Sequence, residues 1–229
     1  MNKRPQTMVI LAMSADGKIA DVKRSPARFA SGADKAHLER QISQVDAVIF
    51  GAGTLRAYGT SLPVSTPQLL RERQQRQQSS QPIHIVCSRS GKINLNWRFF
   101  TQNLPRWLLT TSPSYAASLE RYQFRGFDKV LVVPTEGESI HWLDALENLH
   151  NLGINKLGVL GGGELVASLV AKDLIDEFWL TVCPLILGGK SAPTPVDGHG
   201  FITQAGRKLK LVAVETVEEE VFLNYRRQR

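Results

Sequence analysis

Two glycine-rich turns carry the first chemical signal. Gly51-Ala52-Gly53-Thr54 follows the apolar run Val48-Ile49-Phe50, and Gly161-Gly162-Gly163-Glu164 follows Gly158-Val159-Leu160. Each precedes a helix-length segment. Glycine lets the backbone come close to an anion, and the free N–H groups at the start of a helix hold phosphate. Two such turns in one chain suit the two ends of a pyrophosphate, while a tight strand-to-helix turn is the plain alternative for either alone. Neither is the dinucleotide fingerprint GxGxxG, because its third glycine is replaced by Arg56 in one turn and Val166 in the other. A third turn, Cys87-Ser88-Arg89-Ser90-Gly91, also closes a strand-like run. Its Ser–Arg pair has the donors for charge-assisted bonds to a phosphate, although an exposed loop arginine is equally ordinary.

Other chemistries are excluded by spacing. His37-Leu38-Glu39 matches the HxE piece of zinc deaminases, but no PCxxC follows to complete the metal set, so His37 reads as a solvent-facing helix residue. The histidines 37, 84, 141, 150 and 199 show neither HxxxH nor HExxH spacing, so no metal site is expected. No Gly-x-Ser-x-Gly elbow and no Walker lysine motif is present.

Those turns need elements to place them, and the 229 residues supply an alternation of strand-length and helix-length segments. Strands are expected at 7–13, 46–50, 82–87, 106–111, 129–133, 156–160 and 175–187. The first of these is closed by Ser14-Ala15-Asp16-Gly17. Helices are expected at 31–44, 113–122, 141–152 and 163–171. The first carries Ser31 and Asp34 at capping-box spacing, and the third carries Leu143, Leu146 and Leu149 on one face. Residues 208–216 and 219–226 alternate apolar and polar, the pattern of an antiparallel pair. This order predicts an α/β fold with a mostly parallel mixed sheet flanked by helices and an antiparallel C-terminal hairpin. One domain over 1–229 is expected, with a Gln/Arg-rich insertion at about 66–81 as a solvated loop or surface helix.

Composition narrows the partners. The longest nearly apolar stretch, 178–187, is ten residues, whereas a bilayer span needs about 20. No secretory signal is read at the N-terminus, and two cysteines in apolar runs build no disulfide framework, which fits a reducing cytoplasm. The net charge of +7 is concentrated in residues 1–110, with 16 Lys and Arg against 6 Asp and Glu. A basic half suits an anionic partner: nucleic acid, a membrane surface or a phosphorylated small molecule. Basic–aromatic interleaving is absent, so nucleic acid ranks last. Arg71, Arg73 and Arg76 in the insertion are expected to serve only solubility.

In order and spacing, MSADGKIA (13–20), SGADKAHLER (31–40), DAVIFGAGTLRA (46–57) and LGGGELVASLVAKDLIDEFWLTVCPLILGG (160–189) resemble the reductase domain of riboflavin biosynthesis, within the wider dihydrofolate reductase-like superfamily. In the bifunctional enzymes that domain follows a deaminase; here it is expected to stand alone. The resemblance implies an NADPH-dependent reductase whose substrate is a phosphorylated pyrimidine ribosylamine of the 5-amino-6-(5-phosphoribosylamino)uracil type. It implies that Gly51, Gly53 and Thr54 cradle cofactor phosphate and ribose, that Gly161, Gly162, Gly163 and Glu164 line the pyrophosphate, and that Ser88 and Arg89 hold the adenosine 2′-phosphate. Ser14, Asp16, Gly17, Ser31 and Arg56 would face the substrate, with Leu187, Gly188 and Gly189 closing the pocket. Asp16 is the candidate catalytic residue, orienting the substrate or relaying a proton, against the alternative of a plain Asp-Gly turn. Family members commonly form homodimers.

Two departures stand out. Where the family usually has a glutamate before the paired glycines, this chain has Leu160, and where it usually has Arg-x-Asp-Asp-Pro, this chain reads Arg56-Ala57-Tyr58-Gly59-Thr60. Missing polar contacts can change the substrate. A reductase of another small heterocycle or carbonyl, or a non-catalytic nucleotide-binding relative, therefore stands as the alternative.

Overall fold

The computed structural model describes residues 3–27, 29–112, 125–137 and 139–229. In chain order its elements are β1 (Gln6–Ser14), α1 (Gly32–Ser43), β2 (Ala47–Gly51), α2 (Ala52–Tyr58), α3 (Pro67–Gln75), β3 (Ile83–Cys87), β4 (Arg106–Thr111), β5 (Lys129–Val133), β6 (Thr135–Glu136), β7 (Ser139–Ile140), α4 (Trp142–Asn151), β8 (Lys156–Val159), α5 (Gly163–Ala171), β9 (Glu177–Cys183), β10 (Leu209–Val217) and β11 (Glu220–Arg227). The helix expected at 113–122 lies outside the described residues. The chain divides into two compact units: residues 1–5 with 42–157, and residues 6–41 with 158–229.

In the first unit β2, β3, β4 and β5 run parallel in that order. Val48, Ile49, Ile85, Val86, Leu108 and Leu109 are fully buried, which is why these strands read as continuous apolar runs rather than alternating ones. On α4 the buried face is Trp142, Ala145, Leu146 and Leu149, whereas Leu143, expected on it, is 39% exposed. One helical step of about 100° separates Leu143 from Trp142, and the larger indole takes the inward place.

The Gln/Arg-rich stretch is not merely a solvated insertion. It forms α3, opened by Pro67 at its first turn, with Leu69 and Arg73 turned inward. Arg73 is 1% exposed. Its Nη1 donates to the carbonyls of Ser43 and Val45 at 2.9 Å each, and its Nε donates to Ser79 O at 2.8 Å. Arg76 Nη2 adds a bond to Ser43 O at 2.8 Å. Burial, with Arg76 alongside, lowers the Arg73 pKa to about 10, so the guanidinium stays charged at neutral pH. The solubility role expected for Arg73 is therefore wrong: the planar fork satisfies carbonyls in the turn that leads into β2.

His84 on β3 is completely buried, with Nδ1 2.8 Å from Ser61 Oγ. Burial, reinforced by Arg106 and Arg73, lowers its pKa to about 3, so the ring is neutral.

In the second unit β1 and β9 pair in parallel, β11 pairs antiparallel with β9, and β10 pairs antiparallel with β11. The expected C-terminal hairpin is present. Ser31 caps α1, its Oγ accepting from Ala33 N at 3.0 Å and Asp34 N at 3.1 Å. The reciprocal half of the capping box is supplied from elsewhere, because Ser31 N donates to Glu220 Oε1 at 2.9 Å. His37 is not solvent-facing as expected. Its ring lies 5.4 Å from that of Trp179 and 4.9 Å from that of Phe222, and burial lowers its pKa.

Two outcomes follow. Arg73→Met leaves the buried Val45 carbonyl without its donor and Ser43 O with Arg76 alone, and should lower the unfolding free energy by about 2 kcal/mol in urea titration. His84 takes its proton near 6.5 when unfolded and only near 3 when folded. The unfolded chain therefore gains protons first, and the fold loses up to about 1.4 kcal/mol for each pH unit below 6.5. In His84→Asn that share of the acid slope should vanish, as read by urea midpoints between pH 4 and 7.

Candidate active site

In the second unit, β1 and β9 finish level, with Ser14 opposite Cys183. The chain after each strand therefore emerges at the same edge. The turn after β1 closes through Gly17 N to Ser14 O at 2.9 Å, with Gly17 at φ +78°, a conformation that favours glycine. Ser14 Oγ accepts from Lys18 N at 2.9 Å and donates to Asp16 Oδ1 at 2.6 Å. The Asp16 carboxylate reaches the segment after β9: Leu187 N donates to Oδ1 at 3.1 Å and Gly188 N to Oδ2 at 2.7 Å. Ala15 N donates to Leu185 O at 2.8 Å beside them. The Ser14 hydroxyl bond, followed by the backbone donors, brings the Asp16 pKa down to about 2. Asp16 is thus a carboxylate at neutral pH, with both oxygens accepting.

This places five of the expected residues together: Ser14, Asp16, Gly17, Leu187 and Gly188. Next to Leu187 lies a cavity of about 180 Å³, lined also by Asp21, Ser25, Pro26, Ala27 and Phe29. Its wall is shaped by Asp21, whose Oδ1 accepts from Lys23 N and Ser25 N at 2.9 Å each. Ser31 has other duties. Its hydroxyl donates to Glu220 Oε2 while capping α1. Glu220 is buried, and Asp34 nearby has a pKa raised by burial, moderated by a Thr181 hydrogen bond.

The glycine turn before α5 divides into different uses. Gly161 has φ +98° and a Cβ there would press on Leu11. At Gly163 a Cβ would overlap Thr194 O and the Asp197 carboxylate. Asp197 N donates to Gly163 O at 3.2 Å, and Asp197 Oδ1 accepts from Thr194 N and Oγ1. The smallness of Gly163 is therefore spent on packing against residues 194–197, while Glu164 is exposed on the first turn of α5. Leu160 is half-buried just before the turn.

In the first unit Gly51 pairs opposite Cys87. That register sets the turn Gly51–Thr54 beside Ser88 and Arg89 at the carboxyl ends of β2 and β3. Around Gly53 the space for a Cβ is open. Ser88 is buried; its N donates to Leu109 O at 3.0 Å and its Oγ accepts from Gly91 N at 3.1 Å, which closes the turn that carries the exposed Arg89. Burial pushes the Cys87 thiol up to about 12, so it is no nucleophile. Arg56 is exposed on the last turn of α2, which ends at Gly59 with φ +65°.

The loop that follows is pinned by a residue distant in the chain, Gln102. Gln102 Oε1 accepts from Thr60 Oγ1 at 2.8 Å and Ser61 N at 3.0 Å, and its Nε2 donates to Ser61 O at 2.8 Å. No local pattern links positions 41 residues apart. Glu220 reaches Ser31 across 189 positions, equally beyond any local pattern. Among the described residues no group of three or more His, Cys, Asp and Glu could hold a metal ion.

Comparison with known proteins identifies the family and the fold. The sequence pattern of the RibD C-terminal domain matches residues 5–223. The chain is 31% identical to the Archaeoglobus fulgidus 2,5-diamino-6-ribosylamino-4(3H)-pyrimidinone 5′-phosphate reductase, over 94% of this chain and 95% of that protein. It is 28% identical to the riboflavin biosynthesis protein RibD of Actinobacillus pleuropneumoniae, over 97% of this chain but only 57% of that protein. In fold it is similar to a Corynebacterium diphtheriae pyrimidine reductase-like protein, with a TM-score of 0.80 at 20% identity over 98% and 92% of the two chains. A more distant fold likeness, with a TM-score of 0.50 at 15% identity over 98% and 99%, is to Enterococcus faecalis dihydrofolate reductase. With the pattern matched across nearly its whole length and a 31%-identical relative aligned almost end to end, the chain belongs to the RibD C-terminal domain family.

Proposed function

We propose that this protein is an NADPH-dependent reductase of riboflavin biosynthesis, converting the ribosyl side chain of a phosphorylated pyrimidine ribosylamine into a ribityl chain. The observation that carries the nucleotide half of this reading is the pairing of Gly51 opposite Cys87. It brings a glycine turn with open space at Gly53 beside an exposed Arg89 at the carboxyl ends of parallel strands, where open α/β sheets bind ligands. These residues fit a phosphorylated dinucleotide. Gly51, Gly53 and Thr54 would lie against phosphate and ribose, Arg89 would pair with the 2′-phosphate, and Ser88 would hold the turn that presents it. Gly161, Gly162 and Glu164 would line the pyrophosphate in the second unit, with Gly163 keeping that turn packed.

NADPH, when bound, supplies the hydride; the chain's task is position. Orientation rather than proton supply is the role we assign to Asp16. Its depressed pKa, about 2, leaves it no proton to give at neutral pH, and its carboxylate holds the Leu187–Gly188 backbone beside the pocket. Ser14 and Gly17 would shape the same wall, Arg56 would attract the substrate phosphate, and Ser31 would act through the α1 cap. Leu160, Tyr58 and Gly59, which stand where the family usually has carboxylates, favour a second reading in which another small heterocycle or carbonyl is reduced. The unpaired thiols Cys87 and Cys183 suit a cytoplasmic setting. The working form in this reading is a homodimer, since β10 leaves aliphatic side chains uncovered.

Adding 5-amino-6-(5-phosphoribosylamino)uracil, or its 2,5-diaminopyrimidinone counterpart, to the purified protein with NADPH should lower absorbance at 340 nm. Turnover of neither, together with turnover of an unrelated carbonyl, would select the second reading. A raised melting temperature with NADPH but no turnover of any of them would overturn the reductase assignment. Arg89→Ala should weaken NADPH binding about 10–100-fold, the worth of a charge-assisted bond of about 1.5–3 kcal/mol, and NADH far less. Equal losses for both in calorimetric titration would contradict the 2′-phosphate role.

A further inference from the structure

Strand β10 ends the strand order β10-β11-β9-β1 of the second unit, and among the described residues only its β11 side is paired. Nine residues give it about 30 Å of length. Edge strands of this length are normally kept short or polar, because their free N–H and C=O groups recruit another strand. Here Leu209, Leu211, Val212 and Val214 are 37%, 48%, 46% and 55% exposed. The strand is apolar in its middle, with Lys208 and Lys210 toward one end and Glu215 and Glu218 toward the other.

The register across β10–β11 sorts these side chains. Lys210 lies opposite Arg226, Ala213 opposite Asn224, and Glu215 opposite Phe222, so these three share one face. Leu209, Leu211, Val214 and Thr216 lie opposite Arg227, Tyr225, Leu223 and Val221, on the other face. In a regular strand two residues five apart point to opposite sides. The register shift between Leu211 and Ala213 inserts Val212 as an extra residue and brings Lys210 and Glu215 to the same side. Across its own ladder Lys210 meets a like charge, Arg226, which is unfavourable.

A two-fold axis perpendicular to the sheet keeps every side chain on its own face, so self-pairing needs a strand whose two halves match. We infer that β10 pairs antiparallel with β10 of a second copy of this chain, about a two-fold axis at the Val212 bulge. Lys210 then lies opposite the partner's Glu215, and Glu215 opposite the partner's Lys210. Leu211 meets the partner's Val214 twice, and Leu209 meets the partner's Thr216 twice. Sliding the pair by two residues would set Lys210 against the partner's Val217 and lose both charge pairs. The inference rests on the homodimer reading above and adds the surface and register to it. It also bears on the site, because the same hairpin carries Glu220, which holds Ser31 at the start of α1.

Sedimentation equilibrium on the full chain and three variants tests this. The native protein should be a dimer. Lys210→Glu and Glu215→Lys each place two like-charge pairs across the two-fold axis and should raise the dimer dissociation constant at least tenfold. The double variant Lys210→Glu/Glu215→Lys should return it to within about threefold of native. Melting temperatures measured alongside confirm that each variant is folded. A native chain that is monomeric at every concentration would overturn the homodimer reading and this inference with it. A native dimer that ignores both single reversals, or a double variant without rescue, would overturn the β10 register alone.

Discussion

Parallel strands leave their carboxyl ends at one edge, and that constraint gathers most of the residues with a chemical role in this protein. In the first unit it sets Gly51 against Cys87, so that a glycine turn and a Ser–Arg turn emerge side by side although 37 positions separate Gly51 from Ser88. In the second it sets Ser14 against Cys183, so that the Asp16 turn meets the segment around Leu187 and Gly188. Neither grouping needs the side chains themselves to attract one another over long range. The ladders fix the spacing, and short hydrogen bonds complete it.

Once gathered, identical side chains acquire different chemistry from their surroundings. Asp16 is exposed and accepts from Ser14 Oγ and two backbone N–H groups, so its charge is favoured. Asp34 is buried with Glu220 nearby, so its charge is disfavoured. The first is a permanent anion that can hold a loop; the second contributes to a buried polar cluster with Thr181 and Ser31. His84 and Cys87, three residues apart on β3, follow the same rule: burial leaves one neutral and the other protonated. They serve as scaffold rather than as acid, base or nucleophile.

The sequence was most legible where one local rule acts alone. Continuous apolar runs bounded by turn residues mark β4 and β5 with the same limits as the structure, and the glycine before an apolar helical pattern marks α5. The signal fails where tertiary partners decide. Arg73 reads as a solvated charge because composition alone does not reveal that three carbonyls converge on it. His37 reads as a surface residue because the aromatic rings that receive it come from β9 and β11, far along the chain. Gly163 reads as a phosphate ligand, yet the loop at 194–197 also requires a residue without a Cβ there. In each case the residue type is informative about what it can do and silent about which partner arrives.

The loop after α2 shows how a departure from a family pattern can be structurally settled and chemically open. From Ala57 to Thr66 it contains no charged residue. Its rigidity comes instead from the Gln102 amide, which bonds both Thr60 and Ser61, and from neutral His84 at Ser61. A loop held by neutral groups leaves the field around Arg56 positive, whereas a pair of carboxylates at those positions would offset it. In the proposed reading that positive field favours the phosphate end of the substrate. The acidic acceptors that the family pattern would offer a pyrimidine are absent from this loop, where Tyr58 and Gly59 stand instead. In that reading the loop attracts a phosphorylated sugar more strongly than it distinguishes the ring attached to it.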